Sequence, residues 1–288
     1  MIVAVITNTS KQKAVSFLPK VVDKLLSLNI TPAMTESVKE KYYSSESVTY
    51  YSTYDELAQN CDVIITIGGD GTIIHMARYA AEYNKPLLGI NFGRVGFVAT
   101  MEPDELDKLS HLLTGDYFCE NRMLLKVTVE NGNTKNELYA INDAVIARGS
   151  LSRMMDLSVS VNDKKTCDYR ADGLIFSTPT GSTAYSLSAG GPVICPDIEC
   201  ILLTPICPHS LFSRSVIFRS SDRLTVNTAT GNNPASEAYL TVDGQHFLPL
   251  DDNTSVTIEK YEKSFTLISM DEKNFYTVLN NKLNERGV

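Results

Sequence analysis

Apolar residues in the first part of the chain fall in short blocks that alternate between strand-like runs and helix-like spacing. Ile2 to Ile6 reads as a strand. Ser10 then caps a helix carrying Val15, Leu18, Val22 and Leu25 on one face, with Pro19 expected to bend it. Thr53 and Glu56 stand at capping-box spacing ahead of Leu57 and Ala58. Val63 to Ile67 predicts a buried strand, and Ile73, Ile74, Ala77 and Ala80 mark one face of a helix over 72–82. A strand over Pro86–Asn91 and a helix over 103–114 complete the series. Such alternation predicts a Rossmann-like α/β domain, a parallel sheet with helices on both faces and ligands at the carboxyl ends of its strands.

After Gly115 the pattern changes. Leu124–Val129, Tyr139–Ala147, Leu157–Val161, Val216–Phe218, Leu224–Val226, Tyr239–Val242, Val256–Ile258 and Phe265–Ile268 are short strand candidates separated by Asn, Gly and Asp. Asn131-Gly132 and Asn162-Asp163 have hairpin-turn chemistry. The spacing predicts an antiparallel sandwich or meander. From Asp271 to Asn284 the pattern is helical again through Phe275, Val278, Leu279 and Leu283, and this stripe needs a surface to bury it. The expected organisation is an α/β domain over 1–118, a β-rich domain over 119–269, and a segment 270–288 packing back on the first domain.

Composition narrows the classes. The 288 residues are 43% hydrophobic and 21% charged, as in soluble globular proteins. A net charge of −8 provides no basic excess for general nucleic-acid binding, so an anionic ligand has to be met by local donors. No apolar run approaches the roughly 18–20 residues of a membrane span, and Ile2–Ile6 is too short for a signal sequence. The six cysteines are scattered, with no zinc spacing; reduced, small apolar side chains in a cytoplasmic protein are expected.

Three clusters carry chemistry. Gly68-Gly69-Asp70-Gly71-Thr72 follows the buried run Val63–Ile67 and opens a helix. Glycines there let a phosphate or sugar approach the backbone, and helix N–H groups favour an anion. The same pattern also fits a glycine turn with Asp70 as helix N-cap. It matches neither GxGxxG nor GxxxxGK[ST], and no lysine lies in or just after it, so backbone amides and a metal ion would have to hold phosphates. Gly89–Phe97, at the end of another strand, is placed to share its crevice. Tyr169 to Pro192 is dense in hydroxyls and glycines able to bond ribose, phosphate and base edges, with Tyr185 able to stack on a heterocycle and Asp172 to accept from an amide or ribose hydroxyl. An ordinary loop has the same composition. Asn142-Asp143 interrupts an apolar run, which costs desolvation unless the pair is satisfied or used; a bulge with one side chain on each face would explain it, but Asn142 offers both donor and acceptor to a sugar or base, which favours a functional reading.

Together and in this order, these clusters resemble the ATP-dependent NAD kinase family: GGDGT at 68–72, GxNFGxxGF at 89–97, N-[ED] at 142–143 and DGLIFSTPTGSTAYSLSAGGP at 172–192. Cys207-Pro208-His209 and Val242-Asp243-Gly244-Gln245 extend the likeness, which spans about 62–245. The resemblance implies phosphoryl transfer from ATP to the 2′-hydroxyl of the adenosine ribose of NAD, with Asp70 as base. It implies a phosphate loop of Gly68, Gly69, Gly71 and Thr72, and Phe97 against the adenine. Asn142, Asp143, Asp172, Thr183, Ala184, Tyr185 and Ser188 would bond the dinucleotide, with Gly71, Ser186 and Leu187 alongside and Arg153, Arg170 and Gln245 as lesser contacts. Mg2+ would arrive with ATP, no protein metal ligand is expected, and a homodimer or homotetramer is implied. The chain departs from the pattern at Asp143, where many members have Glu, at Val95, where Leu is commoner, and in lacking Trp. A lipid or sugar kinase sharing GGDGT and a non-catalytic dinucleotide sensor remain alternatives.

Overall fold

The computed structural model describes residues 1–93, 96–132, 134–149, 154–209, 214–229, 238–251, 254–272 and 274–285. Arg153 and Val95, both singled out above, lie outside them. The chain divides into two units, residues 1–122 with 264–288, and residues 123–263. Among the described residues no helix is long and apolar enough to cross a membrane.

The first unit is built on parallel strands β1 (Ile2–Thr7), β2 (Thr31–Thr35), β3 (Thr49–Tyr51), β4 (Val63–Gly68) and β5 (Leu87–Asn91), ordered β5-β4-β1-β2-β3. β4 is buried at every position because both faces are covered, which is why its sequence is an unbroken apolar run. Helix α1 (Gln12–Ser27) packs Ala14, Leu18, Val21, Val22 and Leu25 against Val3, Val5, Ile65 and Ile67 on one face. After α2 (Glu36–Lys41), helices α3 (Tyr54–Asn60) and α4 (Asp70–Glu82) cover the other face. The segment expected as one helix over 103–114 is a 3-10 helix, Pro103–Ser110, followed by a single turn, α5 (His111–Thr114).

Two caps differ from expectation. α1 begins after Lys11, not Ser10, because the Asn8 carboxamide oxygen accepts from the Ser10 amide and hydroxyl and holds that residue in the preceding turn. At α3 the Thr53 hydroxyl accepts from the Glu56 amide at 3.1 Å, but the Glu56 carboxylate reaches back to Ser52, one residue earlier than a capping box requires.

The second unit is a sandwich of two antiparallel sheets. In chain order its elements begin with β6 (Phe118–Asn131), β7 (Thr134–Ala140), β8 (Asp143–Arg148), β9 (Met155–Val161), β10 (Lys164–Ala171) and β11 (Gly173–Ser177). A 3-10 turn, Thr180–Thr183, and α6 (Tyr185–Ser188) follow. The remainder is β12 (Cys200–Ile206), β13 (Val216–Arg219), β14 (Leu224–Ala229), β15 (Ala238–Val242), β16 (His246–Leu250) and β17 (Thr254–Ser269). One sheet runs β13-β12-β11-β8-β15-β16; the other contains β10-β9-β14-β17. Leu125, Val127, Leu157, Val159, Val226 and Ile258 on one side meet Ala144, Ile146, Phe176, Leu203 and Leu240 on the other.

Asn162 and Asp163 both have positive φ, the type I′ geometry their sequence predicts, and join β9 to β10. The run Tyr139–Ala147 is not one strand: it breaks between Ala140 and Asp143. Conversely, Val256–Ile258 and Phe265–Ile268 are two stretches of one strand, β17, which returns the chain to the first unit, where Leu267 pairs with Leu87 on β5. Helix α7 (Phe275–Glu285) is the last described element.

Candidate active site

The strand-to-helix junction in the first unit places GGDGT at the carboxyl end of β4. Gly69 is the N-cap of α4 and Asp70 its first helical residue, and no side chain caps this end. The N-cap reading of Asp70 is therefore wrong: its carboxylate turns away from the helix to the chain that follows β5. There Oδ2 accepts from the Phe97 amide at 2.8 Å, and Oδ1 accepts from Ala99 at 3.1 Å and Val98 at 3.4 Å. The loop comes so close that a Cβ on Gly96 would stand 1.8 Å from Asp70 Oδ1, so only glycine fits. Phe97 itself is half-buried and meets Asp70 through its backbone.

The same corner gathers other groups. The Phe92 amide donates to the Gly68 carbonyl at 2.5 Å, and the Asn8 carboxamide to Thr72 Oγ1 at 3.4 Å. Buried Asn91 accepts from the Gly93 amide at 2.9 Å and donates to Glu102 at 3.1 Å. Lys11, at the end of the β1–α1 connection, brings its ammonium to 3.3 Å from the Phe92 carbonyl. Its Nζ stands 3.3 and 3.2 Å from where Cβ atoms on Gly69 and Gly93 would be. The loop that has no lysine in sequence has one in space. Strand order puts β1 beside β4, which the sequence pattern did not disclose.

In the second unit, Asn142 and Asp143 lie between β7 and β8. Asp143 is 6% exposed, and burial together with the Asp243 charge pushes its carboxyl up to about 7, against the pull of the Tyr185 backbone amide. Asp243, on the β15–β16 turn, is also raised by burial, while amides of Ile141, Asn142 and Asp143 and the charge of His246 oppose the rise. The Thr180–Thr183 turn is buried, with Thr183 Oγ1 donating to the Thr180 carbonyl at 3.2 Å. Ala184 links this turn to α6, where Tyr185 and Ser188 are exposed and Leu187 is half-buried. Ser186 points inward, its hydroxyl 2.8 Å from Thr204 Oγ1. Asp172 is held by Arg148, with Nε to Oδ1 at 2.7 Å. Arg170 is exposed on β10, 4.0 Å from Asp156, and Gln245 is exposed two residues after Asp243. Arg148 carries no sequence signal as a site residue, its partner lying 24 positions away, and Asp243 is marked only as part of the Val242–Gln245 run of the resemblance, with no role, because its partners lie about 100 positions away. Among the described residues no three His, Cys, Asp or Glu side chains cluster to hold a metal ion.

A glycine-flanked carboxylate at a strand-to-helix junction, with a lysine over the same loop and a hydroxyl-rich turn in a β sandwich, is the equipment of a nucleotide-dependent phosphotransferase. Comparison with known proteins specifies which. The ATP-NAD kinase N-terminal domain matches residues 3–117 and the ATP-NAD kinase C-terminal domain residues 141–270. The chain belongs to the ATP-NAD kinase family. The NAD kinase of Clostridium perfringens is 43% identical over 81% of this chain and 84% of its own length. That of Caldanaerobacter subterraneus is 37% identical over 99% of both chains. Two solved structures share the fold. Yeast NADH kinase complexed with NADH aligns with a TM-score of 0.88 at 22% identity, over 99% of this chain and 87% of its own. An Archaeoglobus fulgidus NAD kinase in complex with ATP aligns with a TM-score of 0.72 at 24% identity, over 99% of both.

Proposed function

We propose that this NAD kinase moves the γ-phosphoryl group of ATP to the 2′-hydroxyl of the adenosine ribose of NAD, with Asp70 receiving the hydroxyl proton. The observation that carries the assignment is the state of the Asp70 carboxylate. An ionised carboxylate offers about four lone-pair sites. Three backbone amides occupy three of them and fix its orientation, leaving Oδ2 room for one more donor, such as a ribose hydroxyl. A base held this way needs no reorganisation when the proton moves.

Phosphoryl transfer passes through a loose transition state, so positioning and charge neutralisation dominate. Gly68, Gly69, Gly71 and Thr72 offer backbone close to the phosphates, with the start of the 13-residue helix α4 behind them. Lys11 supplies a cation to the same place. The rest of the positive charge would come from Mg2+ carried by ATP, for which no ligand cluster exists among the described residues. In the second unit, Asn142, Asp143, Thr183, Ala184, Tyr185 and Ser188 hold the dinucleotide, and Asp172 contributes while anchored by Arg148; Ser186 supports the turn from inside. The six cysteines, none of them in a disulfide, support a cytoplasmic setting, and the family resemblance supports a homodimer or homotetramer.

Purified protein given NAD, ATP and Mg2+ is expected to form NADP. Dinucleotide binding with no NADP from ATP or polyphosphate would make it a sensor. Lys11→Met is expected to raise KM for ATP about tenfold and lower kcat while NAD binding is kept, the cost of one lost cation at a phosphate. Lys11→Arg should recover most of that loss, and steady-state kinetics in both substrates checks the pattern.

A further inference from the structure

The break between β7 and β8 leaves Ile141 and Asn142 outside any strand, so their backbone groups need partners from elsewhere. One side chain provides most of them. Asp243 Oδ2 accepts from the Ile141 amide at 2.8 Å, and Oδ1 accepts from the Asn142 amide at 2.8 Å and the Asp143 amide at 3.0 Å. The Asp243 amide in turn donates to the Asp143 carbonyl at 2.9 Å. Asp243 and Gly244 both have positive φ, 51° and 64°, which brings the carboxylate over the break.

The opposite side is closed as well. The Thr178 amide donates to the Asn142 carbonyl at 2.9 Å, and Thr178 Oγ1 donates to the Ile141 carbonyl at 2.5 Å. A Cβ on Gly181 would sit 2.0 Å from the Asn142 carbonyl oxygen, so the TPTG turn presses directly on this backbone. Both backbone polar groups of Asn142 are therefore taken. Its side-chain amide is half-buried and has no hydrogen-bond partner among the described residues.

We propose that Asp243 is the positioning residue of the dinucleotide site, clamping the 141–143 turn through three amides so that the Asn142 carboxamide is held ready for ligand. The inference rests on the reading of Asn142 as a dinucleotide contact. A preorganised donor and acceptor spare the ligand the entropy of ordering them. The clamp has a second consequence. The Asp143 carboxyl is buried against Asp243, the Tyr185 amide and, through Asp243, the charge of His246. Two neighbouring buried carboxyls resist double ionisation, so the ionisation of Asp143 is set partly by the charge of its clamp.

Asp243→Asn is the test. Asparagine keeps the size but loses the charge, and its NH2 group confronts one of the three amides it replaces an acceptor for. KM for NAD is expected to rise about tenfold, with kcat and KM for ATP within about twofold. NAD binding to the parent is expected to inflect where the buried Asp143 carboxyl titrates, about 7, and in the variant the inflection is expected to move down because the like charge is gone. Asp243→Glu, which restores the charge one methylene further out, should return the inflection towards 7. An unchanged KM for NAD overturns the proposal. So does an equal loss in kcat and both KM values, which marks a general packing defect. Titrating the unsubstituted protein with NAD in the absence of ATP separates the two claims. No binding overturns the dinucleotide reading and this inference with it, whereas binding unaltered by the substitution overturns the inference alone.

Discussion

Asparagine in place of Asp70 is expected to lower turnover for NADP formation about 10²–10⁴-fold, the usual contribution of a positioned base, while NAD affinity stays within about threefold. A carboxamide keeps one accepting oxygen for the Phe97–Ala99 amides but sets an NH2 group against another of them. Hydrogen bonds to a charged acceptor are worth about 1.5–3 kcal/mol each, so part of the loss falls on stability, about 1–3 kcal/mol. Thermal unfolding, NAD titration and initial rates on one preparation separate the two effects. Turnover near that of the parent would remove Asp70 from proton transfer and leave it as the anchor of the Gly96–Ala99 loop.

Asp143→Asn is expected to stabilise the protein above neutral pH while weakening NAD binding about tenfold. The folded-state carboxyl titrates at about 7 against an ordinary value of 3.8. Between those values the folded chain holds a proton that the unfolded chain has released. The stability linked to that proton is present in full at low pH and is lost as pH rises towards 7. Above that point the buried charge costs on the order of 2–4 kcal/mol. Asparagine carries no such cost and still offers an oxygen to the Tyr185 amide. Denaturant unfolding at pH 5 and pH 8 checks this: the variant's advantage should appear at the higher pH and shrink at the lower. An equal change at both would mean that Asp143 does not titrate in this range.

The legible parts of the molecule were those whose cause is local. β4 announced itself because a strand covered on both faces is apolar throughout, and GGDGT because glycine and carboxylate cluster within five residues. Asn142-Asp143 was visible as a polar break in an apolar run, but its cause was not. The compensating carboxylate, Asp243, lies about 100 positions later and arrives only through the β8–β15 pairing. Lys11 was invisible for the same reason, needing the β1–β4 adjacency to reach a loop 58 positions on. β10 escapes the sequence pattern because it ends its strand order and its exposed side chains read Lys, Lys, Thr, Asp and Arg. β12 is absent from the strand candidates although all but its last residue is buried. β17 reads in sequence as two strands because exposed Glu262 and Ser264 interrupt its apolar alternation.

The return of β17 to β5 bears on how the protein is made. Residues 123–263 form an uninterrupted stretch, whereas the first unit is assembled from two pieces of chain. As the polypeptide leaves the ribosome, β5 has its β4 neighbour within 91 residues, but its other edge waits for Leu267, and Thr100 waits for the Ile268 carbonyl. The nascent first unit thus carries an open parallel edge through the synthesis of the whole sandwich, about 10–30 s at ordinary elongation rates. The first unit is begun early and finished last.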